Sequence, residues 1–200
     1  MQCIKIGIID DNKFCRDLTK LQLLAFSSVK FDIVLEANGI ASAQAASSDY
    51  SVPQVILLDV MMPEIDGITG ISILKKLYPE VHIIMLSDIE DPLLVRRSLL
   101  AGAHAFVKKG TNPIVMIHTV IDVLTGNSYA EPELTKSLFL GVQKSPRERQ
   151  KLSAKELSIV HRLLEGLSLE MIARSFKITI DYLWEMIKGI IKKLNISYQI

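Results

Sequence analysis

The chain has 200 residues, 49% hydrophobic and 22% charged, with a formal charge of +1. That length fits one large domain or two small ones, and the composition excludes a disordered chain. The near-neutral total excludes any global preference for nucleic acid or membrane, and no apolar run approaches the roughly 18 residues that a membrane span needs. The charge is unevenly spread. Residues 1–127 carry 11 Lys/Arg against 14 Asp/Glu, while residues 145–200 carry 10 against 6. An acidic front and a basic back suggest two modules with different partners. The two cysteines, Cys3 and Cys15, form neither a disulfide framework nor a C-x-x-C pair. They are expected to be reduced thiols of a cytosolic protein. The strand pattern begins directly after Met1-Gln2-Cys3, so no signal peptide is expected.

Residues 4–9 read as a buried strand ending in Asp10 and Asp11. Asn12 or Asp11 caps a helix over roughly 13–26, with Phe14, Leu18, Leu21 and Leu24-Ala25 expected on its inner face. Phe31–Leu35 is a second strand, and Gly39 opens an Ala-rich helix ending near Ser48. Pro53 introduces a third strand over 54–58. Gly67 starts a helix with Ile68, Ile71, Leu74 and Leu77 at helical spacing, and Pro79 ends it. Val81–Leu86 is a fourth strand, followed by a helix from about Pro92 to Ala101. Ala105–Val107 is a short fifth strand. Asn112-Pro113 caps and starts a helix to about Leu124, which Gly126 stops.

Five alternations of strand and helix predict an α/β fold, a doubly wound, five-stranded parallel sheet with helices on both faces, over 1–127. Residues 128–151 change character and read as a linker, with one short helix around 132–141. From 152 to 200 only helical patterns remain. Ser153 caps a helix near 154–165 with Leu157, Val160, Leu163 and Leu164 inside. Gly166 breaks it, and Ser168 caps a short helix through Ser175. Thr179 or Asp181 precedes a longer one to about Leu194. This is a small all-α domain of helix-turn-helix pattern.

The chemistry concentrates at two strand ends. The run Val55-Ile56-Leu57-Leu58 delivers Asp59 to the C-terminal edge of the sheet, where ligand sites of open α/β sheets lie. The first strand delivers Asp10 and Asp11 to the same edge. Three carboxylates there suit one hard cation such as Mg²⁺.

These residues resemble the receiver domain of two-component response regulators, of flavodoxin-like fold. The resemblance rests on Asp10-Asp11, Asp59 with Met62-Pro63 and Asp66-Gly67, Ser87 after the fourth strand, and Phe106 with Lys109 around the fifth. It implies that Asp59 is the phosphoacceptor and that Asp10, Asp11, Asp59 and the backbone carbonyl of Met61 hold Mg²⁺. It further implies that Lys109 neutralises a phosphoryl oxygen, that Ser87 donates to another, and that Phe106 turns inward once the group is attached. Lys109 is preferred to its neighbour Lys108 on the count from Gly102-Ala103 and on strand alternation. Two residues beyond Asp59 and Ser87 stand Met61 and Ile89, positions that in the family flank the path of the hydrolytic water. Both are apolar, so slow self-dephosphorylation is expected, and the chain is not expected to be a dedicated enzyme.

The last 50 residues resemble the LuxR/NarL-type DNA-binding domain in Leu152–Glu156, Glu165–Ser168, Ile172–Arg174 and Lys192–Leu194. The resemblance implies a last helix in the major groove. Arg174, Lys177, Lys188, Lys192 and Lys193 are the expected phosphate contacts. Three departures stand out. Tyr182, Trp184, Glu185 and Met186 occupy the first turns of that helix, and Lys177 replaces a turn glycine. The chain stops six residues after Leu194, so pairing of two such domains through a fourth helix is not expected.

The expected function is a cytoplasmic response regulator, phosphorylated on Asp59 by a sensor histidine kinase and controlling transcription by binding DNA. Its other expected associations are a homodimer through the receiver or another regulator. The alternative is a receiver whose degenerate helix-turn-helix acts by protein–protein contact, through the surface of Trp184, Met186 and Ile187.

Overall fold

The computed structural model describes residues 3–47, 52–89, 91–125, 129–130, 138–139, 142 and 146–194. The first part is built from β1 (Cys3–Ile9), α1 (Lys13–Leu24), β2 (Lys30–Ala37), α2 (Ile40–Ala45), β3 (Val55–Asp59), α3 (Gly67–Leu77), β4 (His82–Ser87), α4 (Pro92–Ala101), β5 (Ala105–Lys108) and α5 (Pro113–Leu124). All strand pairings are parallel, in the order β2-β1-β3-β4-β5, as expected for a doubly wound sheet. Successive residues of β3 show why its sequence is apolar throughout. Ile56 and Leu58 join one core cluster with Ile71 and Leu74 of α3, while Val55 and Leu57 join a second with Leu23 of α1 and Val120 of α5. A strand covered on both faces has no solvent side to carry polar residues.

The expected five strands are all present, and a short sixth is added at one edge. Tyr129 and Ala130, read from sequence as linker, form a sixth strand, β6 (Tyr129–Ala130), parallel to the edge of β5. An open edge strand presents unpaired backbone groups, and a short following segment satisfies two residues of it. Of the linker helix expected around 132–141, residues 138 and 139 are helical; the rest of that span, like Ser48 and Gly126, lies outside the described residues.

The second difference concerns α1. Phe14, Leu18, Leu21, Leu24 and Ala25, expected to face inward, are exposed, Phe14 by 73% and Leu21 by 65%. Leu23 is the residue of this helix buried in the core. Polar anchoring sets the helix's rotation. The Asn12 side chain accepts from the N–H groups of Phe14 and Cys15, and Arg16 reaches back to the carbonyl of Asp10. With Arg16 and Leu23 turned to the sheet, the apolar stripe must face outward.

The remaining elements are α6 (Pro146–Arg149), α7 (Ala154–Leu164), α8 (Leu169–Phe176) and α9 (Ile180–Leu194). Ser153 and Glu156 close a reciprocal capping box on α7. Ser168 caps α8, and Thr179, not Asp181, caps α9 by accepting from the N–H of Tyr182. Lys177 adopts the left-handed conformation (φ 54°, ψ 45°) that ends α8, the place where a glycine would cost less. Helices α9 and α4 pack together. One apolar cluster contains Val95 and Leu99 of α4 with Trp184, Ile187 and Ile191 of α9. Trp184 is 1% exposed and Ile187 fully buried. Of the surface that the alternative reading offers to a partner, Trp184 and Ile187 are therefore interior, and Met186 is half-buried against the same cluster.

Candidate phosphoryl-transfer site

Two strand ends and two loops build the site. Asp59 is the last residue of β3, Asp10 and Asp11 follow β1, Ser87 ends β4, and Lys109 follows β5. Because the strands are parallel and in register, all five arrive at one edge. Oxygens of Asp10, Asp11 and Asp59 lie within 4.8 Å of one another. Asp10 and Asp59 are buried, whereas Asp11 is exposed.

Lys109 lies between the two buried acids, its Nζ 2.7 Å from Asp10 Oδ2 and 3.0 Å from Asp59 Oδ1. Its backbone N–H donates to the carbonyl of Ser87 at 2.8 Å, which joins the two loops. Lys108 instead pairs in register with Ser87 along the ladder. Burial pushes the Asp59 carboxyl up, and the hydrogen bond and charge of Lys109 oppose this without cancelling it. Burial pulls Lys109 down, but its bonds to Asp10 and Asp59 outweigh that and hold its pKa raised. A buried acid so held gains most from a further cation in the site.

The β3–α3 loop holds Asp59 from behind. The N–H of Met61 donates to Asp59 Oδ1 at 3.4 Å. The N–H of Gly67 donates to the carbonyl of Val60 at 2.9 Å, and Asp66 caps α3 by accepting from the N–H and hydroxyl of Thr69. Ser87 is buried and its Oγ accepts from the N–H of Ile89 at 3.0 Å. The cap of α4 is Asp91. Met61 and Ile89 are both exposed at the mouth. Phe106 is fully buried within the cluster that includes α4.

Two residues of the site escaped the sequence reading. Arg16 was placed on no face, although its Nη1 donates to the Asp10 carbonyl at 2.6 Å. The signal available was a charged residue about one turn into a helix beside two acids. Asn12 was read as one of two possible caps, yet its N–H also donates to Asp10 Oδ1 at 2.9 Å.

The expected nucleic-acid contacts are dispersed over the helical domain. Arg174, Lys177 and Lys192 are exposed. Lys188 pairs with Glu185 at 2.8 Å, and Lys193 with Glu156 at 2.6 Å. Among the described residues no helix is long and apolar enough to cross a membrane.

Comparison with known proteins places this geometry. A family model described as the response regulator receiver domain matches residues 6–121. The response regulator protein VraR of Staphylococcus aureus is 25% identical over 195 residues, covering 97% of this chain and 91% of its own. The RcsB response regulator of Salmonella typhimurium shares the fold over 100% of this chain and 95% of its own, at 20% identity and a TM-score of 0.61. A structure of two RcsB dimers bound to two parallel DNAs covers 99% and 95%, at 21% identity and a TM-score of 0.63. The family match spans more than half the chain and includes every strand end that supplies the acidic site, so the chain belongs to the response regulator receiver family.

Proposed function

We propose that this response regulator takes a phosphoryl group on Asp59 from a sensor histidine kinase and thereby controls transcription through its helical domain. The observation that carries this reading is the convergence at one sheet edge of the Asp10, Asp11 and Asp59 carboxylates, with oxygens within 4.8 Å of one another, and of Lys109, within hydrogen-bonding range of Asp10 and Asp59. The all-oxygen acid set fits Mg²⁺, which Asp10, Asp11, Asp59 and the Met61 carbonyl would hold. When bound, the ion offsets the negative charge that would otherwise keep a carboxylate and a phosphoryl group apart.

Asp59 Oδ attacks the phosphorus as the bond to the donor nitrogen breaks, leaving an acyl phosphate. Lys109 then trades part of its contact with the acids for a phosphoryl oxygen. The Ser87 hydroxyl, which uses its oxygen to accept from Ile89, keeps its own proton to donate to another. The added charge of roughly 1.5–2 acts on the loop leading into α4. That helix packs against α9, which supports α4 as the route to the output domain. Met61 and Ile89 are apolar and bring no hydrogen-bonding group to a water at the mouth, which supports slow self-dephosphorylation. In DNA binding, Arg174, Lys177 and Lys192 would contact phosphates, and Lys188 and Lys193 would exchange their carboxylate partners for them.

The outward stripe of Phe14, Leu18 and Leu21 on α1 favours association through the receiver, with a second copy of the chain or another regulator. Two free thiols and a kinase donor accord with a cytoplasmic protein.

Mass spectrometry after incubation with acetyl phosphate and Mg²⁺ tests the acceptor: label is expected on wild type and absent from Asp59→Ala. Label on both would reject the assignment. A gel-shift with genomic fragments at several salt concentrations, with and without acetyl phosphate, tests the output. Binding that weakens with salt is expected; no binding in either state would turn the reading to protein contacts.

A further inference from the structure

We propose that Arg16 is a positioning residue of the cation site: it holds Asp10 by the backbone so that the carboxylate remains available to the metal. The inference rests on the reading of Asp10, Asp11 and Asp59 as a Mg²⁺ site. Asp10 is tethered at four points. Its N–H donates to the carbonyl of Ala37 at 3.2 Å, Oδ1 accepts from the N–H of Asn12 at 2.9 Å, Oδ2 receives Lys109 at 2.7 Å, and its carbonyl receives Arg16 Nη1 at 2.6 Å.

These tethers differ in what they leave for a cation. Lys109 and Asn12 occupy carboxylate lone pairs, and the lysine must shift when a phosphoryl group arrives. Arg16 takes only the main-chain carbonyl. Its hold therefore survives both metal binding and phosphorylation, and fixes the β1–α1 loop throughout. The side chain is built in: it is 12% exposed, and its Nε lies 3.6 Å from Glu36 Oε1. Glu36 is itself paired with Lys20 at 2.6 Å. Glu36 also offsets the guanidinium charge, which alone would repel a cation. The planar guanidinium donates through Nη1 to the carbonyl while its Nε forms an ion pair, without a hydrogen bond, to Glu36; an ammonium is a single point and cannot be placed at both.

Charge and position make opposite forecasts. Were Arg16 merely a positive charge near the acids, removing it would tighten cation binding. As a positioning residue, its loss loosens binding, in the 10–100-fold range typical of groups that orient metal ligands. The test is Mn²⁺ binding to the full chain, followed by electron paramagnetic resonance with no phosphodonor present. Arg16→Ala and Arg16→Lys are each expected to weaken binding about tenfold, with Glu36→Gln smaller in the same direction. Unchanged or tighter binding in Arg16→Lys overturns the proposal, and that variant decides the question if Arg16→Ala does not fold. Thermal melts without metal separate a structural role, which lowers the melting temperature and leaves the affinity of the folded protein unchanged; that pattern also overturns it. If wild type binds no Mn²⁺, or Asp59→Asn binds as wild type does, the cation-site reading itself fails, and the proposal with it.

Discussion

A Cβ at Gly67 would stand 1.9 Å from the carbonyl oxygen of Asp59. The first residue of α3 thus packs flush against the backbone that carries the Asp59 carboxylate, the proposed acceptor. The obstacle is main chain, which cannot yield as the end of a flexible side chain would. Gly67→Ala is expected to cost about 1–3 kcal/mol and to displace Asp59 from the other acids. Urea unfolding and acetyl phosphate labelling of the same preparation check it. An unchanged midpoint with normal labelling would show that the loop accommodates the methyl group.

Lys109 balances two buried carboxylates when no metal is present. Lys109→Ala leaves them without that partner, at a cost of about 3 kcal/mol. Asp59, raised by burial and held back by Lys109, would rise further. Unfolding measured in chelator should show the full loss, and added Mg²⁺ should recover part of it. Equal losses with and without Mg²⁺ would mean that the lysine's packing, not its charge, matters.

Met61 and Ile89 stand at the mouth with no polar group to hold a water. Wild type is expected to keep its phosphoryl group for many minutes after removal of the donor. Met61→Asn introduces a hydrogen-bonding side chain there and should shorten the lifetime about tenfold, about 1.4 kcal/mol of barrier. A wild-type half-life of seconds would contradict this.

His104 gives stability an acid limit. Its Nδ1 accepts the N–H of Ile83 at 3.1 Å, and its ring lies 4.7 Å from that of His82. Burial first, then the charges of Lys75, His82 and Lys188, lower its pKa from 6.5 to about 3. The unfolded chain therefore takes up a proton near pH 6.5 that the folded chain refuses. The contribution is fully present above that pH and is lost progressively toward pH 3. Between pH 7 and pH 5 wild type should lose about 2 kcal/mol that His104→Asn does not. Parallel pH profiles for the two proteins would exclude His104 as the source.

The strand ends were legible because burial on both faces forces an unbroken apolar run, and an acid closing such a run is conspicuous. Asp10, Asp11, Asp59 and Lys109 follow from that pattern, from counting and from family resemblance. The caps at Asn112, Ser153 and Ser168 were legible because capping is a local interaction between residues two or three apart. The face of α1 was not. Its stripe of Phe14, Leu18 and Leu21 has the periodicity of a buried face, but periodicity states only that two faces differ. Which one meets the sheet depends on Arg16 reaching Asp10 and on Leu23 reaching the core. β6 was equally hidden, since two residues carry no period and pair only because the edge of β5 is open.

By itself, the sequence determined the order of strands and helices, the helix caps and the acids at the strand tips, because each depends on neighbours along the chain. Only the tertiary structure decided which residues meet. Lys109 lies between Asp10 and Asp59, Arg16 grips a carbonyl six residues back, and Trp184 is buried in the cluster that α9 shares with α4. Those contacts depend on distances across the fold, set by sheet register and helix rotation, which no local pattern encodes.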